Sequence, residues 1–293
     1  VVEGATGRPF ADVMRDGVLE PLGMEDASFV WRDSVAARVP MGYDLYGNPI
    51  PPFVYATKAS GGLFATVHDV AQFVAASVGP GGGTVLSDAG RSALHAFEVE
   101  IPGAFGLVAD GYGLGHFVED VVGDRRAVWH GGQGHGWMTH FHAVPELGAG
   151  IVILTNSQRS WPLISVVVRD WARWTGIGGV KMARIGYGVT ALRILVVGVL
   201  ATAAWLAARL VGGVRAGRRR FAPLARAARP PRALQALVGA AAIAVLAWSA
   251  AQPYLLVASV FPGVIESAAW STSLLAVVLL VSAGFAPTRS TRG

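Results

Sequence analysis

The chain has 293 residues, 53% of them apolar, and a mean hydropathy of +0.47. That is room for one or two domains and too apolar for an ordinary soluble protein. It contains no cysteine, which excludes disulfides and thiolate metal centres. Charge is divided along the chain: residues 1–180 carry 11 Lys+Arg against 18 Asp+Glu, net −7, whereas residues 181–293 carry 13 against 1, net +12. The basic balance belongs to the last third, so a uniformly basic nucleic-acid binder is excluded and no nucleic-acid partner is expected.

In chain order, Pro9 to Leu19 reads as a helix and Glu20 to Met24 as a turn. Gly47-Asn48-Pro49 is a turn in a proline-rich loop running to Pro52. Asp69 to Val78 reads as a helix capped by Thr66. Gly79 to Gly83 is a flexible loop, and no Gly-Lys-Ser/Thr follows it to make a phosphate cradle. Gly113 to Val122, Ala127 to Trp129, Trp137 to Val144 and Ala149 to Thr155 read as strands. Asp124-Arg125-Arg126 and Pro145 to Gly148 are the turns between them, and Pro162 to Trp174 closes the segment as a helix. Helices, then an antiparallel meander, then a helix make an α+β domain over residues 1–180.

Residues 181–293 read as a membrane anchor. Apolar runs near 185–210, 234–260 and 268–286 are each long enough to cross about 30 Å of hydrocarbon. The first is the weakest, because Arg193 leaves an uncharged stretch from Ile194 to Ala208 that spans only about 22 Å. Seven arginines between Arg215 and Arg232 make 211–233 a basic loop, the connection from Phe261 to Ser267 has none, and the tail carries Arg289 and Arg292. Placing both basic segments in the cytoplasm runs the first span outward-to-inward. Residues 1–180 are then extracytoplasmic, the C-terminus is cytoplasmic, and the protein is multi-pass in the cell membrane. The basic loop is expected to meet lipid headgroups. Spans two and three hold no charge, which suits an anchor better than a carrier.

Four ordered segments carry a family resemblance. Val2-Glu3-Gly4 with Thr6-Gly7-Arg8-Pro9-Phe10 and then Pro21-Leu22-Gly23-Met24 form the first two. Ala59-Ser60-Gly61-Gly62-Leu63 with Thr66 and Asp69 is the third. Trp129-His130-Gly131-Gly132 with Gly136, Pro145 and the strand Ile151 to Asn156 is the fourth. Together they resemble the later part of β-lactamase-related serine hydrolases, a group that includes class C β-lactamases, penicillin-binding carboxypeptidases and esterases. The resemblance implies the fold of that group, an antiparallel sheet with helices, in partial form. It implies acyl-enzyme chemistry on a small amide, ester or peptide, with no cofactor and no metal. It also assigns His130, Gly131 and Gly132 to the third motif of the group. His130 would orient the polar end of the substrate, the glycines would let substrate lie close to the strand, and the N–H of Gln133 would be one oxyanion donor.

The chain departs from that pattern at the nucleophile. Its two lysines, Lys58 and Lys181, are preceded at the third position by Tyr55 and Gly178, so no Ser-x-x-Lys is present. Tyr46-Gly47-Asn48 imitates Tyr-x-Asn but falls after the Pro-Leu-Gly-Met segment, and reads as a turn. The chain opens at Val1 without methionine or leader, so both motifs are expected upstream and the chain alone is expected to be inert and poorly stable. A non-catalytic, membrane-tethered binding protein is the second reading, and a carrier with a lumenal domain the third. Of the four histidines from His130 to His142, His140 and His142 share a strand face; a surface or substrate-lining role is expected for the group rather than zinc, with no carboxylate inside the cluster. Asp69, beside His68, is assigned to the helix's first turn. Trp161, Trp171 and Trp174 read as packing or near-membrane anchors.

Overall fold

Strand-forming runs separated by tight turns between residues 99 and 155 build one sheet. The computed structural model describes residues 1–79, 85–226, 229–252 and 256–288. It divides into two units, Val1–Gly186 and Tyr187–Gly293. In the first unit six strands form an antiparallel meander in which each strand pairs with its sequence neighbour. They are β3 (Val99–Glu100), β4 (Gly111–Tyr112), β5 (Phe117–Val121), β6 (Arg125–Gly134), β7 (Trp137–Val144) and β8 (Ala149–Thr155). A small hairpin, β1 (Gly42–Tyr43) and β2 (Pro49–Ile50), precedes them. The helices are α1 (Val2–Thr6), α2 (Phe10–Met14, continuing into a π turn at Arg15–Leu19), α3 (Asp33–Ala36), α4 (Lys58–Gly61), α5 (Val67–Val78), α6 (Asp88–Leu94) and α7 (Trp161–Trp174). The unit is α+β, as the sequence indicates.

Helix α5 starts where the sequence places its cap. The Thr66 hydroxyl accepts the Asp69 N–H at 3.2 Å, and the Asp69 carboxylate accepts the Thr66 N–H at 2.8 Å, a reciprocal capping box. Asp69 also accepts the Asp26 N–H at 3.2 Å, tying the chain after the Met24 turn to the helix start. The apolar stripe of α5, Val74 and Val78, packs with Val118, Val128 and Ala143 of the sheet. Helix α7 covers the opposite face through Ile164, Val168 and Trp171, where Trp171 meets the His142 ring at 5.7 Å. Trp171 is core; Trp174 on the same helix is 85% exposed.

Several boundaries differ from the sequence reading. Gly113 to Val122 is not one strand, because Gly115 at φ +82° and the Gly113 N–H to His116 C=O bond close a tight turn between β4 and β5. The next turn lies at Val122 to Asp124, with Gly123 and Asp124 both at positive φ. Arg125 and Arg126 are therefore already in β6, which runs on through its glycines to Gly134. The proposed glycine loop keeps only Gly79 among the described residues; 80–83 lie outside them, as do Arg289 and Arg292.

The second unit is helical: α8 (Arg184–Arg215, entered from the first unit), α9 (Arg229–Ala250), α10 (Leu256–Val260) and α11 (Val264–Ala283), with a ribbon of β9 (Arg219–Phe221) and β10 (Phe285–Pro287). Three stretches, Lys181–Arg215, Arg229–Ala250 and Val264–Ala283, are long and apolar enough to cross a membrane. The second starts earlier than expected because Pro230 and Pro231 fall in its first turn, where no donor is needed. It ends at Ala250 rather than at 260, ahead of Pro253, which cannot continue a helical ladder. The span expected from 268 begins at Val264 after Gly263 and stops at Ala283 before Gly284. Residues 211–233 are not a plain loop: the end of α8, the strand β9 and the start of α9 occupy most of them. Helices α9 and α11 lie antiparallel against each other, and a Cβ on Gly239 would come within 2.9 Å of Leu280 Cγ.

Candidate active site

The strand with the His-Gly-Gly sequence is central, paired with β5 on one side and β7 on the other. Its register sets His130 opposite Phe141, Gly131 opposite His140, Gly132 opposite Thr139 and Gln133 opposite Met138. Alternation then divides the residues between two faces. His130 and Gly132 lie on the α5 face with Val128, whereas Trp129, Gly131 and Gln133 lie on the α7 face.

His130 is half-buried, with the Phe117 ring at 5.5 Å and the Tyr112 ring at 6.1 Å. Burial holds its pKa below the usual imidazole value, opposed in part by a backbone hydrogen bond at Gly131. At neutral pH it is therefore an uncharged donor and acceptor rather than a fixed cation.

The two glycines have packing reasons of their own. A Cβ on Gly131 would come within 2.6 Å of Trp161 Cη2, and one on Gly132 would run into Thr139 Oγ1. The Gln133 side-chain carbonyl accepts from Trp161 Nε1 at 3.3 Å, so the side chain of this residue is committed to α7. Past the strand end, the exposed His135 donates its N–H to the Tyr55 hydroxyl at 2.9 Å, with Phe53 5.6 Å from its ring. Tyr46-Gly47-Asn48 is a turn around Asp44, whose carboxylate accepts both the Tyr46 and Asn48 N–H groups at 2.8 Å.

His140 and His142 line neither the surface nor the α5 face that carries His130. Both are buried on the α7 face, 2% and 0% exposed, beside Trp129. Burial pushes His142 down to about 3 and His140 well below the imidazole range. Among the described residues no three His, Asp or Glu side chains converge as a metal set.

A buried carboxyl that the sequence reading passed over, Glu119, shares this layer. Its Oε2 accepts the Lys181 N–H at 2.7 Å, and its Oε1 sits 3.3 Å from His142 Nε2. Burial pushes Glu119 up to about 7, so near neutrality the proton of this pair rests on the carboxyl. The Lys181 ammonium pairs with Asp110 nearby. The signal was present in the alternation of Phe117-Val118-Glu119-Asp120-Val121, which puts Glu119 on the inward face with Phe117 and Val121.

An antiparallel sheet between helices, with a His-Gly-Gly strand at its centre, defines a class: the serine hydrolase fold of β-lactamases and penicillin-binding enzymes. The Beta-lactamase family profile matches residues 1–165, and the chain belongs to that family. It is 30% identical over 145 residues to a beta-lactamase-like protein of Homo sapiens, covering 49% of this chain and 28% of that protein. It is 26% identical over 167 residues to penicillin-binding protein 4 of Amycolatopsis lactamdurans, covering 53% of this chain and 44% of that protein. The chain thus spans less than half the length of these relatives. Among solved structures, the octameric penicillin-binding protein homologue from Pyrococcus abyssi shares the fold, with a TM-score of 0.52 and 24% identity over 60% of this chain and 40% of that one.

Proposed function

We propose that this chain supplies the His-Gly-Gly strand and its supporting sheet to a membrane-anchored serine hydrolase. The enzyme would form an acyl-enzyme with a small amide, ester or peptide and then hydrolyse it. The observation that carries this reading is the family match over residues 1–165 together with His130 on the α5 face of the central strand. The serine–lysine pair would come from chain outside these 293 residues, none of which form Ser-x-x-Lys, so the chain alone would be inert. His130, neutral at physiological pH, would hydrogen-bond the polar end of the substrate. The Gln133 N–H would help hold the oxyanion, a donor worth about 100- to 1000-fold in rate. The three apolar helices would anchor the enzyme, with residues 1–180 outside the cytoplasm and the arginines of 211–233 inside, because basic connections are retained on the cytoplasmic side.

The missing Ser-x-x-Lys favours a second reading, a membrane-tethered pseudoenzyme that binds a cell-wall ligand or a partner protein. One experiment separates the two. The gene is sequenced upstream of the Val1 codon, and the complete product is exposed in membranes to a fluorescent β-lactam and a fluorescent phosphonate. The hydrolase reading expects an in-frame Ser-x-x-Lys, covalent label on that serine and none on residues 1–293 alone. An upstream frame without the pair, and no label on either protein, overturns it in favour of binding.

A further inference from the structure

The described residues that follow α8, 216–226, form a folded platform with the β10 strand. Thr288 closes one end of the β9–β10 ribbon, its N–H donating to the Arg218 carbonyl at 3.0 Å and its hydroxyl to the Gly217 carbonyl at 2.8 Å. Phe221 packs edge-on against Phe285 at 5.5 Å. Gly213 makes room for the stem of Arg219, since a Cβ there would lie 3.1 Å from Arg219 Cδ. Arg232, the one buried arginine of the segment, gathers the chain from inside. It donates to the carbonyls of Ala222 at 2.8 Å, Pro223 at 3.0 Å, Ala225 at 3.1 Å and Ala283 at 2.8 Å.

With Arg232 committed to carbonyls and Arg219 half-buried along Gly213, the five other arginines point outward. Arg215, Arg218, Arg220, Arg226 and Arg229 are exposed, and among the described residues none pairs with a carboxylate. The only acid of residues 181–293, Glu266, sits in the first turn of α11, some 17 residues or about 26 Å from the Ala283 end that Arg232 holds. Two large apolar side chains stand among these arginines, Phe221 at 70% exposure and Leu224 at 87%. Uncompensated guanidinium groups alternating with exposed apolar side chains match a phosphate-bearing headgroup above acyl chain. A free anion would use only the guanidinium groups, and a nucleic acid would leave Leu224 without apolar cover.

We infer that the described residues 215–226 with Arg229 form a binding site for anionic phospholipid, with the exposed arginines taking the phosphate and Phe221 and Leu224 taking the upper acyl chains. The inference rests on the membrane-anchor reading of α8, α9 and α11. The test uses the 293-residue chain in detergent, titrated with dioctanoyl phosphatidylglycerol or dioctanoyl phosphatidylcholine and read by native mass spectrometry. Phosphatidylglycerol is expected to bind at least about tenfold more tightly, since each basic side chain at a bilayer surface contributes roughly fivefold to anionic-lipid attraction and several act together. Combined Arg218→Gln, Arg219→Gln and Arg220→Gln is expected to lower that affinity about 100-fold. The pair Arg226→Gln and Arg229→Gln, outside the ribbon, lowers it about tenfold or more and guards against misfolding of the ribbon. Phe221→Ala with Leu224→Ala weakens lipid binding and leaves inorganic phosphate binding unchanged. Equal affinity for the two lipids, full displacement by inorganic phosphate at the same concentration as the lipid, or tighter binding of a short single-stranded RNA overturns the assignment. Carbonate extraction of the expressed chain keeps the two readings apart: release from membranes sinks the anchor, whereas retention with no lipid preference sinks only this site.

Discussion

Substituting Glu119 by glutamine tests the buried layer behind the sheet most directly. Glu119 is fully buried, and its ordinary value of 4.5 is pushed up to about 7 by loss of hydration. A carboxyl raised in the folded state stabilises fully below its unfolded value, and that contribution is lost as pH rises through the folded one. The window is therefore pH 4.5 to about 7, and its full height is about 3 kcal/mol. Glutamine keeps the shape. Its carbonyl can accept the Lys181 N–H, its NH₂ can donate to His142 Nε2, and no charge appears at high pH. The assay is hydrogen exchange of β5 and β7 peptides in the purified chain, corrected for intrinsic rates, from pH 5 to 8. Relative to wild type, Glu119→Gln is expected to gain little at pH 5 and to reach at most about 300-fold greater protection at pH 8. A variant less protected than wild type at pH 8 refutes the reasoning, because Glu119 is then an ionised partner of a charged His142.

Three further outcomes follow from the same geometry. His95, held near 4 by burial, and His142, held near 3, stay neutral in the fold and add stability that is complete above pH 6.5. That stability is lost as pH falls through 6.5 toward 3, so protection of β7 and α6 should drop on acidification even in Glu119→Gln. Gly131→Ala drives a methyl group into Trp161 and is expected to cost about 1–3 kcal/mol, seen as faster exchange in α7. Thr66→Ala removes the cap of α5 and is expected to cost about 1 kcal/mol, read as fraying of the first turn of that helix. For topology, the cysteine-free chain accepts single reporters. A cysteine at Asp124 is expected to react with an impermeant maleimide on intact cells, and one at Ala216 only after permeabilisation; the reverse pattern inverts the anchor.

Much of the fold was legible because local rules set it. The strands Trp137 to Val144 and Ala149 to Thr155 are short runs of strand-forming residues with a proline–glycine turn between them, and their ends match the structure to the residue. The Thr66 cap follows from hydroxyl chemistry three residues from an acid. The split of Gly113 to Val122 was hidden, since both halves have strand composition and only Gly115 at positive φ separates them. The candidate site was legible as a motif on a strand, and its electrostatics were not. Nothing local to His130 says that Tyr112 and Phe117 dry its ring. His140 and His142 are polar in any sequence count, and only the arrival of α7 from some twenty residues downstream buries them.

The sequence by itself determined the family segments, the α+β class, the three helices able to cross a membrane and the division of charge, since each rests on composition or short-range spacing. Tertiary structure alone decided which face of the strand each residue of Trp129 to Gln133 serves. It also placed the Glu119 proton, and it enclosed Arg232 among backbone carbonyls while its neighbouring arginines stayed exposed. The physical reason is hydration. Whether a polar side chain keeps its water depends on which distant segment packs over it, and no window of neighbouring residues records that.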